Sequence, residues 1–406
     1  MKLHRPLVNA IVEILNEIFF AGIYADKAIE QALKKNTRWG ARDRRFVAEN
    51  VYEMVRWWRK LNVVLNNNEN IQTNIHLLFA VHLIIKGIDI PEWDEFSGID
   101  KEEILKKLQE IDSIRKYKES IPDWLDTIGV QELGEGPWTR EIHELNKEAD
   151  VVIRANSIKT KPEQLQQNLI SKGIETKVIQ NENKIWQQIK NNAFVIKRQN
   201  LVQLDEYKKG LFEIQDASSQ LVAPFMRLEA GMTVIDACAG AGGKSLHMAA
   251  IMQNKGKIIS MDIGERKLIE LQKRAERAGA SCIQTQVIKS NTIEQLKNTA
   301  DRLLLDVPCS GLGVLKRNPD AKWKLSAEFI EEIKKTQQDI ISNYSQMLKP
   351  GGIMVYATCS ILPSENQNQV ETFLNKKKGE FEFIEDKKIM PSDGFDGFYM
   401  AAIRKL

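Results

Sequence analysis

The chain has 406 residues, 43% hydrophobic and 28% charged, with a formal net charge of +3, ordinary values for a soluble globular protein of two or three domains. No run approaches the ~18 apolar residues of a membrane span, and Met1–Pro6 opens no signal-peptide pattern; the chain reads as cytoplasmic, with no membrane partner. Cys238, Cys282, Cys309 and Cys359 form no CxxC pair and sit beside no histidine cluster, which predicts no metal site and leaves reduced thiols that suit catalysis better than disulfides.

Residues 1–130 read as helical. Val8, Ile11, Val12, Leu15, Ile18 and Phe19 follow i, i+3, i+4, i+7 spacing and make one apolar face; a second helical stretch covers Arg42 to Leu61. Between Leu33 and Lys60 basic residues outnumber acidic ones, with Trp39, Phe46, Tyr52, Trp57 and Trp58 interleaved. The aromatics read as core. The arginines either meet RNA phosphates or form a solvated face. Gly134–Pro137 reads as a linker within 131–150. Beyond it Val151–Arg154 and Phe194–Ile196 read as strands and Lys161–Lys172 as a helix opened by Pro162, a small α+β unit over 151–210.

From 211 to 406 strands alternate with helices. Thr233–Ala237, Lys257–Met261, Arg302–Leu305 and Ile353–Ala357 are short apolar strands, and Glu265–Ala278 is an amphipathic helix stopped by Gly279. Such alternation predicts a Rossmann-like parallel sheet covered on both faces, with ligands at the carboxyl ends of its strands. Asp236, Asp262, Asp306 and Cys359 all fall at or just past those ends, where one site can collect them.

The first of these strands runs into Asp236-Ala-Cys-Ala-Gly-Ala-Gly-Gly-Lys244. A phosphate-cradling P-loop would need glycine where Cys238 stands. A dinucleotide fingerprint would need glycine where Ser245 stands. A loop one residue short of both suits a ligand without phosphates, S-adenosylmethionine (SAM), whose carboxylate can meet the glycine-rich turn and the helix after it. Asp262, about twenty residues on, is placed to accept hydrogen bonds from ribose hydroxyls.

Two cysteines stand at neighbouring strand ends, in Asp306-Val-Pro-Cys309-Ser-Gly311 and Thr358-Cys359-Ser360. With a carboxylate they suggest a mechanism. A thiolate adding to carbon 6 of cytosine makes carbon 5 nucleophilic enough to take a methyl group, and loss of the carbon 5 proton with expulsion of the thiolate restores the ring. An acid near N3 would neutralise the charge that develops; Asp306 is the candidate if burial raises its pKa enough to keep it protonated.

These segments resemble the Sun/Nop family of RNA cytosine-5 methyltransferases, and most closely its RsmB-type 16S rRNA branch. Asp236 to Lys244 resembles the family's D-x-C-A-x-P-G-G-K, Asp306 to Gly313 matches D-x-P-C-S-G-x-G, and Thr358 to Ser360 with Glu365-Asn366 matches its T-C-S segment. Gln215–Gln220 and Asp393–Tyr399 are similar to two further family segments. The resemblance implies a class I SAM-dependent methyltransferase domain over 211–406, a small RNA-binding subdomain before it and an all-α, NusB-like RNA-binding domain at the N-terminus. It implies that Cys359 is the nucleophile and Cys309 aids product release. Cofactor contacts would fall on Cys238, Ala239, Gly240, Ala241, Gly242, Gly243, Lys244, Asp262 and Asp306. The substrate would be RNA, ribosomal rather than transfer RNA, and the enzyme a monomer. Ala241 stands where the family usually has proline, and Lys289-Ser290-Asn291 where it usually has an acidic residue near the adenine. The competing readings are a DNA cytosine-5 methyltransferase, which would not need Cys359, a nucleotide-binding enzyme, and an RNA-binding assembly factor with a degenerate catalytic domain. His247 and Cys282 read as structural, Trp323 as packing for the loop after Cys309, and Lys316 and Arg317 as either phosphate contacts or solvated charges.

Overall fold

The computed structural model describes residues 3–66, 74–179 and 184–406. The chain forms two compact units, 1–147 with 315–327 and 148–314 with 328–406.

The first unit is helical. Its core is the apolar face of Arg5–Phe19 packed with Val47, Val51, Met54 and Val55 of the helix Ala41–Arg56 and with Leu78, Phe79 and Val81 of Ile75–Ile85. The stretch read as one helix from Arg42 breaks at Trp57, and a second helix runs Trp58–Val64. The aromatics are core or packed against it, with Trp58 stacked on Phe19 at 3.7 Å between ring centres. Of the arginines, Arg56 and Arg59 are buried and Arg44 donates to the Trp39 carbonyl, while Arg38, Arg42 and Arg45 are exposed.

The segment read as a linker is helical instead. Helix Asp123–Leu133 ends at Gly134, and Glu135–Leu145 starts at once. Gly134 at φ +83° makes the sharp turn, and Pro137 falls in the first turn of the next helix, where its missing N–H costs nothing. Trp138 then packs so closely on Gly129 that a Cβ there would lie 2.3 Å from the ring.

Residues 315–327 explain why a piece of the catalytic half of the sequence belongs to this unit. They supply partners to three helix ends, whose backbone groups lack partners within the helix. Lys322, fully buried, donates to the Arg56 carbonyl at 2.8 Å, and Trp323 Nε1 donates to the Val55 carbonyl at 2.7 Å. Lys324 reaches the carbonyls of Gly22 and Ile23, both at 2.9 Å, just past the end of Arg5–Phe19. Asp320 accepts the N–H of Ala25 at the start of Ala25–Lys35. Donors thus meet the free carbonyls at helix C-termini and an acceptor meets the free N–H at an N-terminus. Trp323 therefore packs on the helices rather than on the loop after Cys309. Lys316 is buried, which removes it from the set of open phosphate contacts, while Arg317 is partly exposed.

The second unit carries two sheets. The smaller has the order β2-β3-β1-β4, with β1 Val151–Ala155, β2 Thr176–Val178, β3 Ala193–Ile196 and β4 Phe212–Ile214; helix Pro162–Ser171 covers it through Leu165 and Leu169. The larger contains β5 Thr233–Asp236, β6 Lys257–Asp262, β7 Ile283–Val287, β8 Ala300–Asp306, β9 Leu348–Thr358, β10 Phe381–Ile389 and β11 Phe398–Lys405. Its order is β10-β11-β9-β8-β5-β6-β7. Strands β5 to β9 are parallel; β10 and β11 are antiparallel, so the sheet is mixed rather than wholly parallel. Val234, Ile258, Leu304 and Val355 face one apolar layer, and Ile235, Ile259, Leu303 and Met354 the other. Buried on both faces, the strands read as continuous apolar runs. Glu213 of β4 joins the two sheets by accepting from Arg274, at 2.8 Å, and from Arg277 of helix Glu265–Ala278.

Candidate active site

The sheet order places β8 between β5 and β9, so the loops after Asp236, Asp306 and Thr358 leave the same edge side by side. Parallel register pairs Asp236 with Leu304 and Asp306 with Ala357, a switch point of the kind where α/β sheets bind ligands.

The glycine loop is held from beneath. Ala237 N–H donates to the Leu304 carbonyl and Ala239 N–H to the Met261 carbonyl. Gly240 and Gly242 have φ +52° and +86°, and a Cβ on Gly242 would lie 2.4 Å from Leu271 Cγ; glycine alone fits both demands there. Asp262 lies at the end of β6, as expected. Its carboxylate already accepts N–H bonds from Gly240 (3.0 Å) and Gly264 (2.7 Å), which fixes the loop and leaves further lone pairs for hydroxyls. Over the loop, Cβ positions on Gly240 and Gly243 meet nothing within 4 Å. Helix Gly243–Ile251 then begins with its N-terminus toward that space, a setting that suits the carboxylate of SAM. Ala241, in place of proline, is exposed, and its carbonyl accepts from Arg274 at 2.8 Å. Lys289, Ser290 and Asn291 are exposed just past β7.

Lys244 and Asp306 form an ion pair of 2.6 Å. Burial alone would lower the Lys244 pKa, but the Asp306 carboxylate, with smaller contributions from Cys359 and Asp236, holds it above the ordinary lysine value. Asp306 is partly open rather than buried, its side chain 26% exposed. The deeply buried carboxyl is Asp236, pushed up to about 7 by desolvation, with Asp306 adding and the hydrogen bond from Ser245 opposing. Burial also raises the Cys238 thiol, in keeping with a residue that acts through its backbone. His247, fully buried, is driven well below the usual histidine range by desolvation and packs inside the helix after the loop.

Cys309 and Cys359 come together. Their sulfurs are 3.3 Å apart, and both are partly exposed. The hydrogen bond to Cys359, then burial, push the Cys309 thiol well up, with the nearby charges of Cys359 and Glu365 adding. Glu365, quoted in the sequence only as part of a motif, is completely buried beneath both loops. Asn366 beside it accepts from Thr358 Oγ1 at 2.5 Å and donates to the Ser360 carbonyl at 3.0 Å. The spacing between Thr358 and Asn366 was the available signal, because a turn bringing 365 back under 360 places a carboxyl at the base of the strand end. Cys282 is buried away from this group of residues. Among the described residues no cluster of histidine, cysteine or acidic side chains could hold a metal, and no helix is long and apolar enough to cross a membrane.

The sheet, the glycine loop at its switch point and the thiols beside it define a Rossmann-like, class I SAM-dependent methyltransferase domain. The family described as "16S rRNA methyltransferase RsmB/F" matches residues 223–404. A Synechocystis protein named "Probable ribosomal RNA small subunit methyltransferase B" is 28% identical over 395 residues, covering 89% of this chain and 87% of that protein. The ribosomal RNA small subunit methyltransferase B of Vibrio cholerae is 34% identical over 213 residues, covering 50% of this chain and 48% of that protein. The crystal structure of PH0851 has the same fold, with a TM-score of 0.81 over all of both chains at 22% identity. Residues 223–404 of this chain belong to the RsmB/F methyltransferase family.

Proposed function

We propose that this protein methylates carbon 5 of a cytosine in 16S rRNA through a covalent adduct between Cys359 and carbon 6. The observation that carries this reading is the pair of thiols in contact at the switch point, beside the Lys244–Asp306 ion pair. A DNA-type enzyme would need only the cysteine of the Pro-Cys segment; a second thiol at 3.3 Å has no task in that chemistry.

Residues 238–244 would hold SAM and Asp262 would accept from its ribose hydroxyls, and SAM would supply an electrophilic methyl group. The chain does the rest. The Cys359 sulfur adds to carbon 6, with the Lys244 ammonium close by. Lys244, paired with Asp306 at 2.6 Å, can pass its proton through that carboxyl to N3, where negative charge develops, and ends as the neutral amine. Once Cys359 is a neutral thioether, its charge and its hydrogen bond no longer oppose ionisation of Cys309. Cys309 can then act as the base that takes the carbon 5 proton as the Cys359–carbon 6 bond breaks. Each step leaves the next thiol in the form it needs.

The test is Cys359→Ala with tritiated SAM and RNA. Methyl transfer should fall by at least about ten-thousandfold, as when other enzymes lose a nucleophile, with SAM affinity retained in calorimetry. Substantial residual turnover would remove Cys359 from the chemistry.

A further inference from the structure

The two thiols touch, lie on equivalent loops after neighbouring strands and are both partly exposed, yet the reading above gives them different tasks. The structure supplies an asymmetry behind them. Glu365 sits on the short turn Pro363–Glu365 with no exposed surface. Its carboxylate accepts from Ser310 N–H at 2.8 Å, from Ser310 Oγ and Ser360 Oγ, both at 2.5 Å, and from Gln337 Nε2 at 3.0 Å. Ser310 and Ser360 are the residues directly after Cys309 and Cys359. Their hydroxyls are 3.3 Å apart, almost the same separation as the two sulfurs. One carboxylate therefore ties both cysteine loops at the same level.

Four donors converging on a group suit a carboxylate in its acceptor-only form, and they supply the compensation that a buried anion requires. Tyr356 OH donates to the Glu365 carbonyl at 2.7 Å and holds the turn in place. Two of the carboxylate's bonds come from Ser310 and one from Ser360, and Gln337 also donates to the Pro308 carbonyl, so the carboxylate is held mainly by the Cys309 loop, where its charge adds to the resistance of that thiol to ionisation. Lys244 lies where the Cys359 sulfur adds to its field. The ionisable groups around the two sulfurs are thus Lys244 and Asp306 toward the cleft and Glu365 and Tyr356 beneath.

We propose that Glu365 is a positioning residue for the reaction: it clamps the two cysteine loops into sulfur contact and, as a fixed negative charge behind Cys309, leaves Cys359 as the thiol that gives up its proton. This rests on the reading of Cys359 as nucleophile. Clamp and charge are separable. Gln keeps the size of the side chain and removes the charge. Asp keeps the charge and shortens the reach, so one loop loses its tie.

The experiment is alkylation of the whole protein with iodoacetamide, with the rate at each cysteine read by peptide mass spectrometry, beside kcat and KM for methyl transfer. In the parent protein Cys359 should react at least about tenfold faster than Cys309, because thiolate fraction governs the rate. Glu365→Gln should bring the two rates within about threefold and lower kcat by about thirtyfold or more, with KM little changed. Glu365→Asp should keep the preference for Cys359 while kcat falls. A Glu365→Gln protein that retains the parent's preference overturns the proposal and leaves the nucleophile assignment standing. A parent protein that alkylates first at Cys309 overturns both. If Glu365→Gln does not fold, Ser360→Ala decides: it removes one tie and leaves the charge, so kcat should fall with the preference intact, and an unchanged kcat overturns the clamp.

Discussion

Asp236 shows how much of the site's behaviour is set by a residue that never faces the substrate. It closes β5 with 1% of its surface exposed and accepts the Ser245 hydroxyl at 2.6 Å. Burial raises it from 3.8 to about 7. The folded chain therefore keeps a proton there that the unfolded chain loses above about pH 4, so the group's contribution to stability is complete below its unfolded pKa and disappears as pH rises through about 7. Asp236→Asn keeps an acceptor for Ser245 and cannot ionise. Thermal melts of the two proteins between about pH 5 and about pH 8 should show a smaller loss of stability toward high pH in the variant. Parallel pH profiles would mean that Asp236 titrates as an ordinary carboxyl. The residues proposed to carry the chemistry stand out in the sequence because each belongs to a short segment with a chemical reason for its composition. The state of Asp306 does not, since spacing says nothing of exposure; the ion pair with Lys244 appears only when β5 and β8 lie side by side.

At the scale of elements, the glycine loop is where sequence and structure agree most closely. Its glycines answer to separate constraints, which substitutions can distinguish. Alanine at Gly242 would meet both a left-handed backbone and Leu271, each costing about 1–3 kcal/mol, so Gly242→Ala should lower both Tm and SAM affinity. Alanine at Gly243, at the first position of the helix with open space at its Cβ, should hold stability within about 0.5 kcal/mol. Equal melting temperatures for the two variants would show that Leu271 and the backbone give way. The strands buried on both faces were legible as apolar runs. β10 was not, because Phe381–Ile389 is an edge strand whose Glu385-Asp386-Lys387-Lys388 run breaks the alternation of a strand, so it resembles a loop until β11 pairs with it. The Gly134–Pro137 segment misled for the opposite reason, since glycine and proline mark a helix end and a helix start as readily as a linker.

For the whole molecule, the division of the chain is not the one the sequence order suggests. Residues 315–327 follow the Cys309 loop directly, yet they close helix ends of the N-terminal unit. No periodicity signals this, because the partners are backbone carbonyls just over three hundred residues away in some cases. The N-terminal helices are therefore not a detachable appendage. A chain beginning at residue 148 would leave Lys322, buried and driven well below the usual lysine range by desolvation, and Trp323 without their acceptors. It should melt at a lower temperature than the full chain, and sites near 315–327 should become open to limited proteolysis; a truncated protein as stable and protease-resistant as the full chain would refute that role.

The central claim, that Cys359 forms the covalent bond and Cys309 releases it, is tested most directly by incubating Cys309→Ala with SAM and 16S rRNA and resolving the products on a denaturing gel, followed by mass spectrometry of the linked peptide. A slowly migrating protein–RNA complex should accumulate, with the link on Cys359 and none formed by the Cys309→Ala, Cys359→Ala double variant. Absence of the complex from the single variant, while methyl transfer continues at the parent rate, would contradict the account.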